Sequence, residues 1–257
     1  MRNSHLKELY EVFRIEEGVA LFLEDHLERL FLGARKAGIS MDMDFFDVMQ
    51  YVEHLLTASE NREGNVRLSF YFDSENRNIV SHEGRFIPHH YPSKEMYKNG
   101  VACVLMNAER KNPGAKIAET GYRERANELI AQNDVFEALL TDRHNKITEG
   151  SRSNVFFIIN NELITAPEHL VLPGVVRKKA LALAESNNIP VTYRCIEAEE
   201  ELAKTDACFL TGTSPRILPV SRVGNTQWAA LHSVNQKLIH DFHEMIQKYI
   251  SDHKKTS

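Results

Sequence analysis

Four short apolar runs, near residues 134–141, 145–149, 153–160 and 163–165, follow one another with gaps only long enough for turns. This succession constrains the fold most. Runs of that length, rich in β-branched and aromatic residues and bounded by turn formers, are strands rather than helices. Strands this close in sequence pair with one another or with near neighbours, so the second half is built around a sheet. Further strands are predicted near 190–195, 206–211 and 216–221, and a loop through Pro173-Gly174 opens a helix from about 175 to 187.

The first half mixes the two periodicities. Residues 8–16 (ELYEVFRIE) alternate and are rich in β-formers, which predicts a strand. Leu23, Leu27, Leu30 and Ala34 recur at helical spacing until Gly38, and Phe45, Met49, Val52 and Leu56 mark a second helix. Strands are predicted at Asn65–Asp73 and Ile79–Ile87, around a polar turn at Ser74–Arg77, and again at Val101–Met106. Polar Asn107–Ala115, with its Pro-Gly pair, is read as an interdomain linker. A helix follows at roughly 119–132, and a last one carries Leu231, Val234, Leu238, Phe242, Met245 and Tyr249 on one face. The class is α+β in both halves, with domains at 1–107 and 116–257 and the linker at 108–115.

The 257 residues are enough for one large domain or two small ones. A net charge of −5 gives no bulk attraction to nucleic acid or anionic lipid. Cys103, Cys195 and Cys208 lack metal-ligand or redox spacing and read as reduced thiols, which with the absence of a signal-like start points to a cytoplasmic protein. No stretch approaches a membrane span. The twelve His form no HExxH, and there is no GxGxxG, Walker loop or GxSxG, so no metal site is expected.

Several segments could carry chemistry. Gly174 sits where a helix begins, so the amides of Val175 and Val176 are an anion seat or the start of an ordinary βα turn. Thr211-Gly212-Thr213-Ser214-Pro215 follows an apolar strand and is either an anion cradle or a solvent-facing turn. Glu149, on a tight turn beside an apolar strand, needs a cationic partner, or its pKa rises. A protonated ring nitrogen is one such partner, and Arg152, in a plain turn salt bridge, is another. Arg29 flanks the apolar stripe of its helix and either reaches an anion or is simply solvated. Arg67 sits inside a strand, as an edge charge or as the anchor for a substrate carboxylate. His89-His90 is an exposed loop or a substrate contact. Lys116 carries no signal of its own.

Taken in order, YEVFRI, LEDHLERL, a Lys before a helix, EALLTD, ITEGSRSNVF, VLPGVVR and FLTGTSPRILPV resemble the class IV (fold-type IV) aminotransferase family, from about residue 8 to 222. The family includes branched-chain and D-amino-acid aminotransferases and aminodeoxychorismate lyases. The resemblance implies a smaller N-terminal α/β sandwich and a larger strand-rich C-terminal pseudo-barrel, a homodimer, and pyridoxal 5'-phosphate as cofactor. It implies that Lys116, placed by counting back from Glu137, is the Schiff-base lysine and catalytic base. Arg29 would bind the phosphate, with the amides of Val175 and Val176 and the hydroxyl of Thr213. Glu149 would pair with the pyridine nitrogen and Leu172 would pack under the ring. Ser214 and Arg67 match positions near the substrate carboxylate, and Tyr10 a residue lining the substrate side. The expected site lies between the two domains.

The chain departs from the pattern twice. Only Met1–Leu9 precede the YEV region, where the family has a further strand and a GDGxFE-like segment. The residue usually found just after the lysine is displaced, leaving Thr120 or Tyr122 to serve the ring's phenolic oxygen. The expected reaction moves an amino group between an amino acid and a 2-oxo acid. The alternatives are a lyase splitting aminodeoxychorismate to p-aminobenzoate and pyruvate, and a non-catalytic member of the fold.

Overall fold

The computed structural model describes residues 5–110, 113–118, 120–228 and 232–254. Leu231 of the predicted last-helix stripe and Lys111 and Asn112 of the predicted linker lie outside them, as does the Thr120 side chain. The chain forms two compact units, described in turn. The first comprises Met1–His90, Gly114–Ala118 and Met245–Ser257, and the second Tyr91–Pro113 and Glu119–Glu244.

In the first unit, β1 (Leu6–Glu16), β2 (Val19–Ala20), β3 (Gly64–Asp73) and β4 (Ile79–Ile87) form an antiparallel sheet in the order β2-β1-β3-β4. Helices α1 (Leu23–Lys36) and α2 (Phe45–Ala58) pack on it. Strand alternation sends Leu9, Phe13 and Ile15 of β1, with Val66, Leu68, Phe70 and Phe72 of β3, into one core with Leu27, Leu30, Val48 and Val52 of the helices. Asp44 starts α2 with a capping box, its carboxylate accepting from the Phe46 and Asp47 amides while Asp47 answers on the Asp44 amide. No side chain of the N-cap residue, Phe22, caps α1; the Leu23 amide instead donates to the Tyr249 phenol at 3.3 Å.

The second unit holds a ten-stranded sheet. Its strands are β5 (Val101–Asn107), β6 (Glu137–Thr141), β7 (Lys146–Gly150), β8 (Asn154–Ile159), β9 (Glu162–Thr165), β10 (Val191–Tyr193), β11 (Ile196–Glu197), β12 (Ala207–Gly212), β13 (Arg216–Val223) and β14 (Thr226–Gln227). The order is β10-β9-β8-β12-β13-β5-β6-β7-β11, with β14 on β13. Only residues 151–153 join β7 to β8, yet β12, β13, β5 and β6 lie between them in the sheet. A link that short requires the sheet to curl back on itself, which is the pseudo-barrel. β6 is buried along its whole length because Leu139 enters one core while Ala138 and Leu140 enter another with Tyr122 and Ala126 of α4 (Thr120–Asn133). The unit's other helices are α3 (Lys94–Asn99) and α5 (Val175–Ser186), while α6 (Ser233–His253) runs across the residue boundary of the two units.

The units differ from a simple cut at residues 107 and 116, for reasons of pairing. β5 hydrogen-bonds in parallel to β6 and β13, so it belongs to the second sheet. The short segment around Lys116 hydrogen-bonds to β1, and Tyr249 of α6 donates to Glu24 at 2.6 Å, so both belong to the first unit. The three cysteines are free thiols. Among the described residues no helix is long and apolar enough to cross a membrane.

Candidate functional site

In the first unit Lys116 is held by its backbone. β2 covers only the last residues of β1, which leaves the edge near Leu9 open. The lysine segment takes that edge: the Tyr10 amide donates to the Lys116 carbonyl at 3.0 Å, the Ala118 amide donates to the Glu8 carbonyl at 2.8 Å, and Leu9 bridges Ile117. Ala115 and Ile117 drop into the helix-side core, which fixes the segment further. The Lys116 ammonium lies 3.9 Å from a Glu11 carboxylate oxygen and 5.2 Å from the centre of the Tyr10 ring.

Glu11 is the residue that sequence reasoning missed. It is fully buried, on the core-facing side of β1. Arg29 donates to it through Nε at 2.8 Å and a terminal nitrogen at 2.5 Å, and the His26 ring nitrogen Nδ1 sits 3.0 Å away. A signal was present: an acid at an inward position of ELYEVFRIE faces two polar residues, His26 and Arg29, spaced three apart on the inward face of a helix. Burial would raise the Glu11 pKa, but Arg29, Lys116 and the His26 hydrogen bond together hold it well below the usual carboxylate range. Burial drives the His26 pKa down to about 4 in spite of Glu11, with Arg29 and Lys116 pushing the same way. His26 is therefore neutral near pH 7 and donates Nδ1–H to Glu11. Arg29 thus points inward, into a bidentate pair, rather than lying along a solvated face.

Tyr10 is buried, with the Arg67 guanidinium 3.8 Å over its ring. Arg67 is itself paired with Glu8, its Nε donating at 2.8 Å.

In the second unit Glu149, on β7, is almost completely buried. Burial raises its pKa, while Arg110 and the Leu172 amide pull it down. Its cationic partner is Arg110, whose Nε donates to Oε1 at 2.8 Å; the two side chains are 5% and 2% exposed. Arg152, the partner weighed from sequence, instead gives its guanidinium to Asn127 and its amide to Glu137. The other Glu149 oxygen accepts from the Leu172 amide at 3.1 Å and Asn154 Nδ2 at 3.4 Å, and the same Asn154 nitrogen donates to the Leu172 carbonyl at 2.9 Å. Asn154 therefore staples the 172–174 loop to the acid.

That loop runs directly into α5. Gly174 is the N-cap and, as a glycine, has no side chain to cap α5, so the first-turn amides and the dipole are not answered by the N-cap residue. Val175 and Val176 are buried there. Any side chain at 174 would displace Asn154, since a Cβ there would overlap Asn154 Oδ1. At the end of β12 the Thr211 hydroxyl is buried without a hydrogen-bond partner, and Thr213 and Ser214 lie half-buried in the turn that Gly212–Arg216 pairing closes.

Glu137, the first residue of β6, fixes the turn after Glu149. It accepts from Ser151 Oγ at 2.7 Å, Ser153 Oγ at 2.9 Å, and the Ala138 and Arg152 amides at 2.9 and 3.2 Å. Tyr122, the alternative to Thr120 after the lysine, donates its hydroxyl to the Ser151 carbonyl at 3.4 Å, and the Arg110 guanidinium carbon is 5.5 Å from the centre of its ring. A separate cleft of about 400 Å³, lined by Lys98, Trp228 and Asn235 among others, contains none of these residues.

Each unit, taken by itself, holds groups of the kind that a phosphorylated, protonated nitrogen heterocycle requires. The second unit offers a helix start at Gly174, a buried Thr211 hydroxyl without a hydrogen-bond partner and the buried acid Glu149, from three segments that meet around Asn154. The first unit offers a primary amine fixed on a strand edge and an arginine fixed in orientation.

The profile of the class IV amino-transferases matches residues 8–223. D-alanine aminotransferase from Bacillus licheniformis is 27% identical over 224 residues, 84% of this chain and 78% of that protein. Among solved structures, a putative 4-amino-4-deoxychorismate lyase from Legionella pneumophila superposes with a TM-score of 0.83 at 21% identity, over 92% of this chain and 90% of that one. The T.th. branched-chain amino acid aminotransferase, solved with pyridoxamine 5'-phosphate, gives 0.82 at 17% identity, over 95% and 88%.

Proposed function

Since the chain belongs to the class IV amino-transferase family, we propose that it is a pyridoxal-phosphate-dependent aminotransferase that moves an amino group between an amino acid and a 2-oxo acid, with Lys116 as the cofactor-bearing residue. The observation that carries this reading is the loop from Leu172 to Val176. Its first amide holds the buried acid Glu149 and its last two open α5. When bound, the cofactor supplies an electron sink for the substrate's α-carbon.

Each residue is given the part that the family resemblance implies, and its setting is what supports that part. Lys116 would be the residue that holds the cofactor covalently, and its amine would serve as the general base for the substrate's α-proton. Its backbone bonds to β1 fix where that amine can reach, which is an orientation effect. Glu149 holds a proton on the ring nitrogen, and its anchoring by Arg110, Asn154 and the Leu172 amide fixes its position. The amides of Val175 and Val176 and the Thr213 hydroxyl would hold the phosphate, as a helix start suits a dianion; Arg29, already paired with Glu11, joins them on the family resemblance alone. Leu172 packs against the ring, and Tyr10, Arg67 and Ser214 face the substrate. A homodimer acting in the cytoplasm belongs to the same proposal, supported by family membership alone.

Lys116→Ala tests it. Purified wild-type protein should take up pyridoxal phosphate with a visible absorbance band and a matching covalent mass increment after borohydride reduction; the variant should show neither and no transamination. Retained turnover in the variant would sink the assignment. Pyruvate released from aminodeoxychorismate without an acceptor acid would replace transfer by lysis.

A further inference from the structure

The face of the four-stranded sheet turned away from α1 and α2 carries a second ion pair. Alternation places Glu8 and Tyr10 of β1 and Arg67 and Ser69 of β3 on that face, and Tyr10 stands opposite Ser69 in the register. Arg67 donates to one Glu8 oxygen through Nε at 2.8 Å, and a terminal nitrogen lies 2.7 Å from the same atom. Ser69 Oγ donates to that oxygen too, at 2.5 Å, and accepts from Arg67 Nε at 3.3 Å. The guanidinium plane is held from below by the Tyr10 ring. The Arg67 and Glu8 side chains keep 19% and 17% of their surface exposed, so the pair reaches solvent without being loose in it.

A strand arginine stacked on a tyrosine is the arrangement that reads a carboxylate. Here the chain supplies that carboxylate itself. Glu8 cancels the charge of Arg67, takes its Nε edge, and is pinned by Ser69. A second carboxylate arriving at Arg67 would meet Glu8 beside it, and like charges side by side are disfavoured. An uncharged side chain meets no such opposition and gains the apolar face of the stacked pair.

We propose that Glu8 is a specificity-determining residue: by occupying Arg67 it reserves this face for substrates whose side chain carries no charge. The substrate class is then monocarboxylic amino acids and 2-oxo acids, and dicarboxylic ones are turned away. This rests on the aminotransferase reading, in which Tyr10 and Arg67 face the substrate.

The test is Glu8→Gln, which keeps the shape and one acceptor but leaves Arg67 unneutralised. The holoenzyme is assayed with alanine and pyruvate against glutamate and 2-oxoglutarate, using both enantiomers of each donor. Wild type should favour the monocarboxylic pair in kcat/KM. The variant should shift the ratio toward the dicarboxylic pair by at least about tenfold, mainly through KM. Ser69→Ala, which removes one hold on Glu8, should shift it less and in the same direction. Wild type that prefers glutamate, or a ratio unmoved in both variants, overturns the proposal. A readout independent of turnover is phenylglyoxal labelling of Arg67, followed by peptide mass. Labelling should be several-fold faster in Glu8→Gln, and glutarate should slow it in the variant alone; equal rates overturn the proposal. Should neither form turn over any amino acid, the aminotransferase reading fails while the labelling still decides what Glu8 does.

Discussion

Replacing Arg110 by Met removes the cation beside a buried acid, and its cost can be worked from the structure. Glu149 is almost fully buried and Arg110 donates to it at 2.8 Å. Removing one partner of such a pair typically costs about 3–5 kcal/mol, because the other charge stays buried. A ceiling exists, since the carboxyl can take up a proton instead of remaining charged. With an ordinary value of 4.5, the cost of that proton is about 3.4 kcal/mol at pH 7 and about 1.4 kcal/mol at pH 5.5, at roughly 1.36 kcal/mol per pH unit. Glu149 also keeps the Leu172 amide. We therefore predict a loss of about 3 kcal/mol at pH 7 for Arg110→Met, shrinking to about 1 kcal/mol at pH 5.5.

The direction follows from the shift. Burial already raises the Glu149 pKa in the native protein, with Arg110 restraining it. A group whose folded pKa exceeds its unfolded one contributes stability that is complete below the unfolded value and is lost as pH rises toward the folded one. Without Arg110 the folded value climbs further, so the variant suffers most at high pH. Urea unfolding at the two pH values, with the double variant Arg110→Met/Glu149→Gln beside the single one, measures this. The double variant should recover much of the loss at pH 7 because no charge is left to bury. A single variant as stable as wild type at pH 7, or a loss equal at both pH values, refutes the reasoning.

Two further outcomes are expected. His26 is neutral when folded, with its pKa down at about 4 against an ordinary 6.5, so the unfolded chain binds the extra proton between those values. Stability present above pH 6.5 should fall by about 3 kcal/mol as pH drops toward 4, and His26→Gln should remove that component; urea midpoints that do not differ between the two proteins across this range would count against it. Gly174→Ala must push Asn154 off the Leu172 carbonyl, since the new Cβ would overlap Asn154 Oδ1. It should cost about 1–3 kcal/mol and weaken pyridoxal phosphate uptake, whereas Gly121→Ala in α4, with nothing within 4 Å of its Cβ, should be neutral or stabilising by up to about 1 kcal/mol. Thermal melts that fail to separate the two substitutions would show that the 172–174 loop is not packed as described.

What could be read in the sequence depended on how local the signal was. The strand at 8–16, the helices opened by Leu23 and Phe45, and the run of strands after residue 134 all declare themselves in a window of ten or so residues. Each was found within a few residues of its place. The six-residue α3, capped by Ser93, was too short to show a period. The strand order was not legible at all, because β5 pairing in parallel with β13 joins segments more than a hundred residues apart. The same divide runs through the candidate site. Glu149 and the Gly174 helix start were visible because each creates a local need, for a counter-charge and for an anion. Their partners were not, since Arg110 and Asn154 reach them from segments with no periodic link to either.

Lys116 is the limiting case. Nothing in its neighbourhood distinguishes it from other lysines, and only its distance from Glu137 within a family pattern singled it out. The physical reason is that its position is determined by another strand. Its carbonyl pairs with the Tyr10 amide because β2 leaves that stretch of β1 unpaired, and its ammonium lies near Glu11 because β1 directs that acid inward toward α1. A residue positioned in this way has no sequence signature of its own. Its signature is the strand that holds it: an alternating run with one buried acid, where a second chain segment can dock on the free edge. An inward acid on a partly covered strand is therefore the feature to look for when a lysine of this kind must be found without a family to count from.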